Sequence, residues 1–206
     1  MFDSVIAKEG QKSVLVAFIA MLVFILAGCG LLSFISFALT IIFIFVYRNN
    51  ALKVNSSSEN IVAPISGKVT AIDVKDGNRL VHIDVNLCDS HILRALEDGS
   101  FTVSNKRGLN LCLSTFKAKT LNERAILQFD NSSLELISST FNPSFDILGK
   151  ENVQKADRLG VFLQGQVIIT LDSNFELLVK IGDKVESGIS EIAKKIVIEE
   201  EKEEQV

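Results

Sequence analysis

His91 stands in the run Asp89-Ser90-His91-Ile92-Leu93-Arg94-Ala95, which brings a proton carrier, a hydroxyl and a cation close together. A second cation closes the triplet Asn122-Glu123-Arg124. Guanidinium groups grip oxyanions through two parallel hydrogen bonds, so either arginine has the chemistry to hold an anion. His91 on its own is better explained by a hydrogen-bonded core position than by catalysis. The three cysteines, Cys29, Cys88 and Cys112, form neither a disulfide framework nor a zinc spacing, and no metal site is expected. They read as small apolar side chains in a reducing compartment.

Something must hold these residues in place, and the sequence supplies two kinds of element. From Ser13 to Tyr47 there are 35 consecutive residues without a formal charge, flanked by Lys8 and Lys12 before and by Arg48 and Lys53 after. One helix of that length would extend roughly 50 Å, against an apolar bilayer core of about 30 Å. A break at Gly28-Cys29-Gly30 divides the run into two segments and predicts a transmembrane helical hairpin, with one tilted helix and an interfacial extension as the alternative. Basic residues on both flanks place both termini in the cytoplasm. A cleaved leader fits less well, because the apolar run is too long and no small-residue cleavage site ends it.

The chain accordingly divides into an interfacial N-terminus (1–12), a membrane anchor (13–47), a polar linker (48–60) containing Ser56-Ser57-Ser58, a β domain (61–194) and an acidic tail (195–206). The formal net charge is −4, and Glu199-Glu200-Glu201-Lys202-Glu203-Glu204 supplies much of it. No basic stripe with interleaved aromatics argues for nucleic acid. Within 61–194, apolar and β-branched clusters at 68–74, 80–85, 125–129 and 166–171 alternate with Gly, Asn, Asp and Ser turns, which predicts a mainly β fold. Ala63-Pro64-Ile65-Ser66-Gly67-Lys68-Val69 and Lys180-Ile181-Gly182-Asp183-Lys184-Val185-Glu186-Ser187-Gly188 share a punctuation pattern. Both resemble the strand-turn-strand edges of lipoyl- and biotinyl-type barrel sandwiches, without the modifiable lysine hairpin of those carriers.

In order and spacing, the landmarks resemble the short, two-part form of the phosphatidylserine decarboxylase family. Ile6-Ala7-Lys8-Glu9-Gly10, the apolar run and the exit Phe45-Val46-Tyr47-Arg48 are similar to that family's membrane leader. Residues 63–69 resemble its Ser-Pro-Ala-Asp-Gly-Lys-Val, and 89–95 resemble its Asp-Val-His-x-Asn-Arg-Ala. Lys117-Ala118 with Asn122-Glu123-Arg124 is similar to Lys-Ala-x-x-x-Asn-Glu-Arg. Arg158-x-Gly160-x-Phe162-x-Gln164-Gly165-Gln166 falls without a gap on Arg-x-Gly-x-Ile-x-Phe-Gly-Ser.

The resemblance implies decarboxylation of phosphatidylserine to phosphatidylethanolamine through a pyruvoyl group that acts as an electron sink. The family makes that group by attack of a serine hydroxyl on the preceding glycine carbonyl, followed by elimination, with an Asp and a His as base and orienter. Here Gln166 follows Gly165, and its side chain has neither a Cβ hydroxyl nor a β leaving group. Ser66 stands at the Asp position, and His91 is kept. Gly99-Ser100 is the one Gly-Ser pair in the chain and lies outside the matching frame. No pyruvoyl cofactor is expected.

The resemblance therefore points to a non-catalytic, lipid-binding or regulatory member at the cytoplasmic face of the inner membrane, with Arg94 and Arg124 binding phosphatidylserine or phosphatidylethanolamine. Two other readings stay open: an active phosphatidylserine decarboxylase with unconventional processing, and a membrane-tethered protein-interaction module.

Overall fold

The computed structural model describes residues 8–48, 59–142, 145, 147 and 152–196. Most of the linker and nearly all of the acidic tail lie outside the described residues.

The apolar run forms two helices, α1 (Lys8–Leu26) and α2 (Gly30–Val46), which pack against one another. They are joined at Ala27-Gly28-Cys29, where Gly28 takes φ +69 with nothing near the position of a Cβ. The bend therefore falls at the expected place and for the expected reason, a left-handed step that glycine adopts without strain. Helix α1 begins at Lys8, so the expected interfacial segment 1–12 ends inside a helix. The hydroxyls of Ser33 and Thr40 bond back to Gly30 O and Ser36 O at 2.8 Å, so these side chains add no unsatisfied polar group to the apolar hairpin. At about 1.5 Å per residue, α1 and α2 extend about 28 and 25 Å. Among the described residues no helix is long and apolar enough to cross a membrane.

The remainder is mainly β, in antiparallel sheets. The largest has seven strands: β11 (Lys184–Val185), β2 (Gly67–Lys75), β3 (Asn78–Val85), β9 (Gly165–Leu171), β7 (Ser132–Ser138), β6 (Arg124–Gln128) and β5 (Thr102–Lys106), in that spatial order. Strands β2 and β3 turn at Asp76-Gly77, both at positive φ, the geometry that a two-residue hairpin favours. Alternation puts Val81, Ile83 and Val85 of β3, and Val167, Ile169 and Leu171 of β9, on one buried face. That face packs on a three-stranded sheet of β1 (Asn60–Val62), β12 (Glu191–Lys195) and β10 (Phe175–Leu177), and on the pair β4 (Ile92–Arg94) and β8 (Arg158–Val161). Ile61, Leu93, Leu159, Phe162 and Ile192 close the core from that side. The only other helix among the described residues, α3 (Phe116–Leu121), is capped by Thr115, whose hydroxyl accepts from Ala118 N at 3.1 Å.

The two similarly punctuated segments meet. Lys184 pairs with Lys68 and Val185 with Gly67, Gly182 N donates to Val69 O at 2.8 Å, and Gly188 N donates to Ala63 O at 2.7 Å. Gly67 is required at this edge, because a Cβ there would lie 2.5 Å from Asp84 O.

Candidate functional site

Strand register decides what can meet Gln166. Asp84 on β3 pairs with Lys68 on one side and with Gln166 on the other; Gln166 pairs with Ile137, and Ile137 with Arg124. Paired residues share a face, so this row lies on the outer side of the large sheet, at one end of its strands. The Gln166 side chain is buried there as a bridge: its Nε2 donates to Asp84 Oδ1 at 2.8 Å, and its Oε1 accepts from Lys119 Nζ at 3.1 Å. A primary amide suits this place because it is donor and acceptor at once, relaying between a carboxylate and an ammonium. The bridge borders a cavity of about 280 Å³ that also touches Asn86, Cys112, Ser114 and Gln164.

Gly165 precedes it at φ +153, paired with Val85 and with Ser138. A Cβ on Gly165 would stand 2.1 Å from Ile137 O and 2.6 Å from Phe162 Cζ. The glycine is thus fixed by packing as well as by conformation, whatever residue follows it.

His91 is wholly buried, just before β4. Its Nδ1 lies 2.9 Å from Val46 O, the last residue of α2, and its Nε2 lies 3.2 Å from Asn86 O. Both ring nitrogens face carbonyl oxygens. A neutral imidazole donates to one of them and an imidazolium to both. In either form the ring joins the helical hairpin to the β domain.

Ser66 opens onto a second cavity, of about 150 Å³, together with Arg48, Asp89, Arg94, Lys184 and Ser187. Its Oγ accepts from Ser187 N at 3.0 Å, and the Ser187 hydroxyl is directed at Ile92 O at 2.8 Å. Arg94 donates from Nη1 to Ala156 O at 2.9 Å. Burial pushes its pKa below the ordinary value while the Asp157 carboxylate pulls it back up. Arg48 stacks over Phe45, with 4.5 Å from its guanidinium carbon to the ring centroid.

Arg124 does not line the cavity of Arg94. Its Nη1 bonds Glu135 Oε1 at 2.8 Å, and its Nη2 bonds Lys119 O at 2.7 Å and Thr120 O at 3.4 Å. It ties down the end of α3 and so steadies the helix that presents Lys119 to Gln166. The cations beside Arg94 are instead Arg48 and Lys184, which the sequence showed as a flanking charge and as part of a turn. Asp84 was legible only as the polar member of an alternating strand.

The cysteines are free and exposed, and among the described residues no group of three or more His, Cys, Asp and Glu side chains is placed to hold a metal ion. Compared with protein-family models, curated proteins and solved structures, the chain matches none of them.

Proposed function

We propose that this chain is a membrane-anchored, phosphatidylserine-decarboxylase-like protein that makes no pyruvoyl group and binds an aminophospholipid headgroup instead of converting it. One observation carries the reading: the residue after Gly165 is a glutamine whose amide is already engaged by Asp84 and Lys119. A pyruvoyl group does not fit this position, because Gln166 offers no hydroxyl oxygen on Cβ. Ser66 stands in place of a carboxylate, His91 is turned to the Val46 and Asn86 carbonyls, and the one carboxylate against Gln166, Asp84, accepts from its amide with no hydroxyl there to activate.

Headgroup binding is assigned to the cavity between Ser66 and Arg94. Arg48, Arg94 and Lys184 line it with Asp89 and Glu186, Asp157 acts on Arg94 from outside the lining, and the cavity opens where the chain leaves α2. A phosphate with its ester oxygens is the ligand class that such a cluster recognises. The hairpin itself supports a lipid environment. Leu26 and Leu31 at its tip are 88% and 74% exposed, and Phe34, Phe37 and Ile41 are also open. A patch of this kind in water marks a partner or membrane surface. We assign the hairpin to the inner membrane, entering from and returning to the cytoplasmic side, in keeping with the positive flanks.

The test is binding of soluble short-chain phosphatidylserine to the full chain in detergent. Lys184→Glu should weaken binding about tenfold, equivalent to about 1.4 kcal/mol, because it places a carboxylate at the cavity wall. Lys75→Glu, on the opposite end of β2, should leave binding unchanged. No binding by the unaltered chain, or equal binding by both variants, contradicts the assignment.

A further inference from the structure

The segment 107–121 carries an exposed apolar surface that the headgroup cavity does not use. Phe116 is 86% exposed, and Leu109, Leu111 and Leu121 are exposed beside it. These residues are held out rather than loosely placed. Leu109 N donates to Leu121 O at 2.9 Å, Glu123 N donates to Leu109 O at 2.8 Å, and Asn122 bonds both backbone groups of Leu111.

Position says what covers them. The segment leaves β5 at Lys106 and enters β6 at Arg124, two residues paired on the row that contains Gln166 and Asp84. Its Cys112, Leu113 and Lys119 border the same cavity as Asn86, and Asn86 O faces the His91 ring that also contacts Val46 at the end of α2. The apolar surface thus lies at the same end of the large sheet as the hairpin exit. Exposed Leu87, next to Asn86, continues it toward that exit. Lys106, Arg107 and Lys117 are exposed around the apolar side chains. The far end of the sheet is more acidic: its turns carry Asp76, Asp130 and Asp172 against Lys75 and Arg79.

We propose that this segment is a second membrane contact, in which Phe116 and its leucine neighbours enter the interfacial layer of an anionic bilayer while Lys106, Arg107 and Lys117 meet lipid phosphates. Apolar side chains flanked by cations are what an interfacial segment needs, and the acidic far end is repelled by the same surface. The inference rests on the membrane-anchored reading. Two contacts, the hairpin and this segment, would fix the orientation of the β domain and keep both cavities at the lipid headgroups.

The chain contains no tryptophan, so single indole reporters can be read without background. The full chain carrying Phe116→Trp, Val74→Trp or Leu39→Trp would be reconstituted into phosphatidylcholine–phosphatidylglycerol vesicles, with and without acyl-chain bromination. Val74 is exposed near the Asp76-Gly77 turn at the far end, and Leu39 is in α2. Insertion of about 5–10 Å should roughly halve the emission of the Phe116→Trp reporter in brominated vesicles and shift it to the blue. The Leu39→Trp reporter should be quenched and the Val74→Trp reporter should not. If Leu39→Trp is quenched while Phe116→Trp behaves like Val74→Trp, the second contact is wrong and the anchor stands. If neither is quenched, both are wrong. Quenching of Phe116→Trp alone upholds the contact and removes the hairpin from the bilayer.

Discussion

Gly165→Ala should cost the β domain about 2–6 kcal/mol of stability. The added methyl would sit 2.1 Å from Ile137 O and 2.6 Å from Phe162 Cζ, on a residue at φ +153. Backbone strain of this kind costs roughly 1–3 kcal/mol, and forcing a methyl into a filled space costs about 1–3 more. Together they amount to about 2–6 kcal/mol, a large part of the roughly 5–15 kcal/mol that holds a domain. The obstacle is backbone on β7, so shortening the neighbouring side chain does not remove it. Phe162→Ala in the same chain should fail to restore the lost stability and should add its own cavity penalty of about 3–5 kcal/mol, since Phe162 is fully buried and stacked on Phe145 with centroids 6.0 Å apart. Urea unfolding of the detergent-solubilised chain, followed by circular dichroism, measures this. A Gly165→Ala protein with an unaltered midpoint would show that β9 and β7 are not paired through this glycine.

The next largest effect is expected at Asn122. Its amide serves three backbone groups at once: Oδ1 accepts from Leu111 N at 3.0 Å, and Nδ2 donates to Leu111 O at 2.6 Å and Ser138 O at 2.8 Å. The residue is 2% exposed, so its loss leaves groups that water reaches poorly. At about 1 kcal/mol per bond, with part of the desolvation penalty added, Asn122→Ala should cost about 3 kcal/mol. Asn122→Asp keeps the acceptor but loses the two donations, and should be destabilised comparably. The change should fall first on segment 107–121, which then exchanges its amide hydrogens faster than β3 or β9. Uniform exchange across the domain, or no loss of stability, would contradict the clamp.

The Asn122 clamp also shows what the sequence could and could not reveal. The triplet Asn122-Glu123-Arg124 was visible as a motif, but its parts do different work: Asn122 closes a loop, and Arg124 holds the end of α3 through Lys119 O. Local features were legible because their causes are local. Alternation marked β3 and β9, and Gly28 marked the bend between α1 and α2. The neighbourhood of each candidate residue was not, because it follows from strand order. Only the sequence β2-β3-β9-β7-β6 across the large sheet sets Gln166 against Asp84 and puts Arg124 on the same outer row, while Arg94 belongs to β4, which pairs with β8 elsewhere. Two arginines thirty residues apart in the chain gave no sign of that separation. The link between His91 and Val46, across 45 positions, was equally silent.

The intact mass of the purified full chain tests the central claim most directly. A single species near 22.6 kDa, the mass of the uncut sequence, is the predicted result, because Gln166 cannot attack the Gly165 carbonyl. Two polypeptides covering 1–165 and 166–206, the second with a blocked pyruvoyl end, would contradict it and make this chain a working decarboxylase.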